Sequence, residues 1–262
     1  VASRGDRKSL SIGVEQEKFV NDVLSLNKPT AIIVESGSIV NLPWLSHANR
    51  KQATIWAGYG GQRVGTALGK LLFGEANFSG KMPLAWPRES ALIPFVIGGL
   101  SMSMDYFFGY RSYDDRGVSA DLVFPFGWGM SYTQFTYSNL TALNPSCESA
   151  GKRNVVTYAV DVTNAGAVDG EEVVMLFVKG PPKPPGITGN RPVKELKSFA
   201  KVRLAAGQTS TVQLPLAIED LRHWEGDANG KYVVDNGVYD IMVGPNASES
   251  ALKLTAQLTV HD

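Results

Sequence analysis

The rhythm of hydrophobic positions changes part-way along this chain. Over residues 14–26 the apolar residues Val14, Phe19, Val20, Val23, Leu24 and Leu26 recur at largely helical spacing, and Asn27-Lys28-Pro29 supplies a stop signal. Thr30-Ala31-Ile32-Ile33-Val34 is a short β-branched run of the kind carried by a strand covered on both faces. Ala53-Thr54-Ile55-Trp56-Ala57 is a second such run, after a polar, helix-like turn over residues 46–52. Residues 63–73 read as another helix, with Val64, Leu68, Leu71 and Leu72 on one face and Gly74 at its end. This alternation predicts an α/β sandwich domain with a mostly parallel sheet over residues 1–100. Residues 81–87, with Pro83 and Pro87, read as an extended edge segment of it. Residues 88–121 carry few regular signals, and residues 101–131 read as an interdomain segment that wraps a surface.

From Tyr132 onwards the apolar runs become short, alternating and bounded by Gly, Pro or Asn. Strands are predicted at 135–143, 154–163, 172–178, 196–202, 210–216, 237–243 and 251–260, which is the spacing of a β-sandwich over residues 132–262. Val156, Tyr158, Val160 and Val162 alternate with Thr157, Ala159, Asp161 and Thr163, so one face of that strand is marked for the core. The Pro- and Gly-rich residues 180–190 read as a long excursion between strands. The fold class is therefore α/β plus all-β.

At 262 residues there is room for two domains, each able to bury a core without staples. Twenty-five basic residues balance 25 acidic ones with no long block of either sign, which argues against a nucleic-acid surface or a polybasic membrane patch. No apolar run reaches the ~20 residues a membrane-spanning helix needs. The single Cys147 closes no intrachain disulfide. Three triplets, Asn77-Phe78-Ser79, Asn139-Leu140-Thr141 and Asn246-Ala247-Ser248, fit the acceptor pattern for N-glycosylation. They point to a secreted glycoprotein, extracellular, or periplasmic if bacterial. The start at Val1, without Met and before a charged turn, reads as a fragment, a processed product or one piece of a split protein.

Several motifs recur in consistent order along the chain: Gly5-Asp6-Arg7-Lys8-Ser9-Leu10, Trp56-Ala57-Gly58 through Gly65, Leu72-Phe73-Gly74, Ser79-Gly80-Lys81-Met82-Pro83, Gly109-Tyr110-Arg111-Ser112-Tyr113-Asp114, and the run from Phe124 to Thr133. Further on come Gly170-Glu171-Glu172-Val173-Val174, Arg191-Pro192-Val193-Lys194-Glu195-Leu196-Lys197-Ser198-Phe199 and Asp220-Leu221-Arg222-His223-Trp224. Through these the chain resembles the C-terminal half of glycoside hydrolase family three, the β-glucosidases and β-xylosidases. The resemblance implies an α/β sandwich domain followed by a fibronectin type III-like module. It also implies an N-terminal barrel, in the same or a companion chain, that carries the nucleophilic aspartate. The implied activity is retaining hydrolysis of terminal non-reducing β-D-glucosyl residues from a β-glucoside or oligosaccharide. The alternatives are a β-xylosidase or another exo-β-glycosidase of the family, or a non-catalytic carbohydrate-binding or scaffold protein. The family's acid/base glutamate precedes the turn at Asp6-Arg7, so the resemblance assigns no catalytic residue within this chain. Arg63 and Trp128 depart from the residues common at their positions.

Asp6 and Arg7 are the candidate substrate-binding residues, with an ion pair that orients the turn as the competing reading. Glu15 and Glu17 fall on the first helix as ordinary exposed acids, whereas Glu35 follows a strand at the edge where open α/β sheets bind ligands. Gly58, Gly60, Gly61 and Gly65 lack the spacing of a dinucleotide loop and read as tight packing. Tyr106, Phe107, Phe108, Tyr110, Tyr113, Phe124, Phe126 and Trp128 offer a sugar-stacking platform or interdomain packing, and the junction position favours packing, as it does for Trp224. His47, His223 and His261 are too scattered for a metal site, Ser36-Gly37-Ser38 is no nucleophile elbow, and no cofactor is expected.

Overall fold

The computed structural model describes residues 9–46, 51–88, 107–143, 154–182, 191–226 and 229–261. Asp6, Arg7, His47, Tyr106, Cys147 and most of the 180–190 excursion lie outside them. The described residues up to Ala76 form one compact unit, and residues 77–87 join those from 107 onwards in a second.

In the first unit, helix α1 spans Val14–Ser25 and begins at Gly13. The Ser11 hydroxyl accepts the Gly13 N–H at 2.9 Å and donates to Glu17 Oε1 at 2.7 Å, so Glu17 fastens the start of the helix. Asn27, at φ 53, ends it as the sequence predicts. Strands β1 (Thr30–Val34) and β2 (Gln52–Trp56) pair in parallel, with Ile32 opposite Thr54. Between them a 3-10 turn, Pro43–Ser46, drives the fully buried Trp44 inward, and Gln52 Nε2 donates to its carbonyl at 2.9 Å. Helix α2, Val64–Leu72, follows and gives way to Gly74 at φ 78.

Two expectations fail here. The sheets are mainly antiparallel, and β1–β2 is the one parallel pair among the described residues. Nor is β1 covered on both faces: Ala31 and Ile33 face outward, and on α1 only Leu24 is buried while Val14 and Phe19 are exposed. Part of the sheet's expected membership belongs elsewhere. Of residues 81–87, Trp86–Pro87 form β3, an edge strand as expected, but in a two-stranded antiparallel sheet with β4 (Leu122–Phe124) in the second unit, with both its side chains buried.

The second unit is a sandwich of two antiparallel sheets. One runs β5 (Phe135–Ala142), β6 (Val155–Asn164), β9 (Thr209–Ala217); the other runs β13 (Leu254–Val260), β12 (Gly237–Gly244), β7 (Gly170–Lys179), β8 (Glu195–Leu204). All seven predicted strands are present. Val156, Tyr158, Val160 and Val162 point inward as their alternation requires, against Val174, Leu176, Leu214, Leu216 and Ile241. Two elements were not anticipated. Helix α3 (Tyr110–Asp115) lies within the supposedly irregular segment, and β10 (His223–Glu225) with β11 (Lys231–Val233) forms a small hairpin.

Strand β7 is buried on both faces. Val174, Leu176 and Val178 enter the sandwich core, while Met175 and Phe177 enter a second cluster with Ala247 and Leu252, closed over by Tyr110 and Phe126. Leu176→Ala should therefore lower stability by about 2–5 kcal/mol. Phe199→Ala, at a side chain 66% exposed on the neighbouring strand, should stay within about 0.5 kcal/mol. Chemical denaturation of the two variants against the parent checks both.

Candidate functional site

The C-terminal ends of β1 and β2 are where an open α/β sheet would receive a ligand. There the loop of residues 35–38 is held by Ser36, whose hydroxyl donates to the Ser38 carbonyl at 2.7 Å and, with the Ser36 carbonyl, accepts from Trp56 Nε1 at 3.1 and 3.0 Å. A hollow of about 940 Å³ opens beside β1, walled by Phe19, Val20 and Val23 of α1, by β1 itself, and by Trp44 and Tyr59. It is mostly apolar. Among the described residues Glu35 is its one carboxylate, and it is exposed. Retaining hydrolysis of a glycoside needs two carboxyl groups ~5–5.5 Å apart, and the described lining supplies one. Glu17 is engaged with Ser11, and Glu15 stands exposed on α1.

In the second unit the aromatic run at the junction resolves into packing. Tyr110 stacks on Phe126 at 5.0 Å and meets Phe177 edge-on at 6.0 Å, and Tyr113 is buried. Phe124 stacks on Trp128 at 6.2 Å, and Arg111 lies 4.7 Å from the Phe108 ring centre. Of these rings, Tyr110 and Phe126 cover the outer face of β7, while Phe108 and Trp128 stay partly exposed. Trp224 is half-exposed and meets Tyr232 edge-on across the β10–β11 hairpin. Gly127 explains part of the Phe124–Thr133 motif. At φ 82 it adopts a backbone that side chains resist, and a Cβ there would come within 2.8 Å of Met175 Sδ and 3.0 Å of the Asn246 Cα.

Charged groups lock the motifs to one another. Lys194 Nζ reaches Asp114 Oδ2 at 2.6 Å, both side chains almost wholly buried; Arg111 bonds Glu195 Oε1 at 3.0 Å; and the Tyr110 hydroxyl accepts the Leu196 N–H at 2.8 Å. Helix α3 is thus latched to the start of β8. A second clamp holds residues 77–82. Lys81 Nζ lies 2.8 Å from Glu172 Oε1, which also accepts the Tyr137 hydroxyl at 2.9 Å. Burial, with the Glu172 charge beside it, pushes the Tyr137 phenol far above its ordinary value, so it remains a donor. Asn77 completes the clamp: Nδ2 donates to the Asp169 carbonyl, and Oδ1 accepts from Ser131 Oγ and the Tyr132 N–H, each at 2.9 Å.

The sequence reading missed these residues. Glu172 alone carried a signal, because β7's alternation places it in phase with Val174 and Leu176, where a charge needs a partner. Among the described residues no group of three or more His, Cys, Asp or Glu is placed to hold a metal.

Comparison with known proteins adds what this geometry lacks. A family model for the glycosyl hydrolase family 3 C-terminal domain matches residues 2–132, half of the chain, and one for the fibronectin type III-like domain matches residues 172–247. The chain belongs to glycosyl hydrolase family 3, as its C-terminal portion. A putative beta-glucosidase of Schizosaccharomyces pombe is 31% identical over 98% of this chain and 30% of its own length. The crystal structure of the beta-D-glucoside glucohydrolase from Trichoderma reesei superposes with a TM-score of 0.84 at 30% identity, covering 98% of this chain and 37% of that one. DesR, a beta-glucosidase from Streptomyces venezuelae solved in complex with D-glucose, gives a TM-score of 0.81 at 29% identity, over 98% of this chain and 32% of that one. The family 3 chain therefore spans about a third of the length of the relatives it matches.

Two predictions follow from the charged groups. Asp114→Asn should cost about 3–5 kcal/mol by stranding Lys194, and the double variant Asp114→Leu with Lys194→Met should recover most of that loss; chemical denaturation of both variants against the parent reads the difference. His223 lies 3.6 Å from Asp235 Oδ1, in a carboxylate that Arg191 already holds through Oδ2 at 2.9 Å and Oδ1 at 3.3 Å. Burial lowers the His223 pKa below its ordinary 6.5, opposed by Asp235, with smaller influences from Arg191, Glu225 and Glu195. The unfolded chain then takes up a proton that the folded chain declines, so stability falls as pH drops through the window beneath 6.5. Melting temperatures between about pH 7 and about pH 5 should fall less steeply in His223→Gln than in the parent.

Proposed function

We propose that this chain is the C-terminal portion of a retaining β-glucosidase that releases terminal non-reducing β-D-glucosyl residues. The observation that carries this is similarity to β-glucosidases over 98% of the chain, in sequence and in three dimensions. The solved relative with bound D-glucose supports glucose as the sugar. The two catalytic carboxylates are supplied by the part of the relatives' length that this chain does not span, on an N-terminal barrel and its adjoining segment, in the same or a companion chain. The hollow beside β1, with Glu35 as the one carboxylate of its described lining, supports that division of labour. Asp6 and Arg7 orient the turn next to the acid/base segment and contact substrate from there. The protein works outside the cell as a glycoprotein.

The test is turnover of an aryl β-glucoside. The full-length gene product should hydrolyse it and prefer it to the matching xyloside, whereas residues 1–262 purified alone should give a cooperative melting transition and no turnover. Robust hydrolysis by the isolated residues, or a xyloside preference in the full-length protein, would overturn the reading.

A further inference from the structure

The three Asn-X-Ser/Thr triplets are treated differently by the fold. Asn77 has both amide atoms bound to its neighbours, and its nitrogen lies so close to Gly170 that a Cβ there would stand 3.1 Å from it. Asn246 is buried, only 7% exposed; its Cα abuts Gly127, and its Oδ1 accepts from the Ser248 N–H and hydroxyl at 2.9 and 2.7 Å. A sugar ring on either nitrogen would displace the packing around it.

Asn139 differs in each respect. Along β5 the register with β6 jumps, Ser138 facing Asp161 and Thr141 facing Ala159, so that residues 139 and 140 oppose a single residue as a bulge. Asn139 takes the left-handed conformation there, at φ 55, which Asn tolerates better than most residues. Asn139 and Thr141 are both exposed, and β5 is the outer strand of its sheet. Asn139 Nδ2 donates to Asp161 Oδ2 at 2.9 Å. A primary amide nitrogen carries two protons, so this bond survives substitution of the other.

We propose that Asn139 is the acceptor of an N-linked glycan, and that Asn77 and Asn246 are not acceptors in the folded protein. The inference rests on the extracellular reading above. In the transfer, Asn139 Nδ2 bonds to the anomeric carbon of an oligosaccharide carried on a lipid diphosphate. The anomeric C–O bond to phosphate breaks, the lipid diphosphate leaves with the electron pair, and the amide gives up one proton. With Asn139 Nδ2 bonded to Asp161 on β6, the attached glycan stands over the exposed face of the β5–β6–β9 sheet.

The test uses the full-length gene product, made with an added secretion leader in a glycosylating eukaryotic host. Its folded, monodisperse fraction is mapped by mass spectrometry before and after the amidase that converts a glycosylated Asn to Asp. Conversion is expected at residue 139 and at neither of the other two. Thr141→Ala should abolish it while leaving Asn139, its bulge and its bond to Asp161 in place, so that the variant melts at the same temperature as the parent made in a host that adds no glycan. An unmodified Asn139 in the secreted folded fraction, or a glycan on Asn77 or Asn246 there, overturns the assignment. Because the added leader forces secretion, the result is independent of the extracellular reading, which is judged separately by whether the gene product reaches the medium of its own host under its natural start.

Discussion

Burial of strand β7 on both faces is the constraint on which the second unit depends. Antiparallel sheets in sandwiches commonly leave one face to water, and β6 illustrates the usual solution, with an alternating register and a single apolar side. In β7 the alternation is overwritten: Val174, Leu176 and Val178 serve the sandwich core, and Met175 and Phe177 between them are equally apolar. Such a strand cannot stand at a water interface, so something must cover its outer face. Tyr110 and Phe126 do so, and the residues around them are consequently part of the sandwich unit.

Covering an apolar face fixes position loosely, because hydrophobic contact is non-directional. The charged groups supply the direction. Lys194–Asp114 and Lys81–Glu172 are buried pairs between residues far apart in sequence, and each is surrounded by further hydrogen bonds that fix its geometry. Their net contribution to stability is modest because desolvation offsets attraction. Their effect is registration: Asp114 is met by Lys194, Glu195 by Arg111, and the Leu196 N–H by Tyr110, so α3 docks on β8 in one alignment.

Much of this was legible in the residues. The seven sandwich strands showed through because period-two alternation with Gly, Pro and Asn breaks is a strong local signal, and α1 with its Asn27 stop was equally plain. Helix α3 was missed because its six residues, Tyr110–Asp115, span less than two turns and carry two acids, too short for periodicity to register. The β10–β11 hairpin was missed because its strands are three residues each. The parallel sheet was overread: a β-branched run such as residues 30–34 reports the covering a strand requires, and what covers it is set by residues elsewhere in the protein. Asn77 was read as a glycan acceptor alone because nothing nearby in sequence announces Asp169, Ser131 and Tyr132 as its partners.

The order of synthesis gives the β7 arrangement a further consequence. The ribosome delivers Tyr110 and Phe126 well before Met175 and Phe177, and the residues that latch α3 in place, Lys194 to Leu196, come later still. For that interval the nascent chain holds a set of aromatic rings with no surface to receive them. Until that strand arrives, the rings are open to the chaperones and proteases that survey unfinished chains.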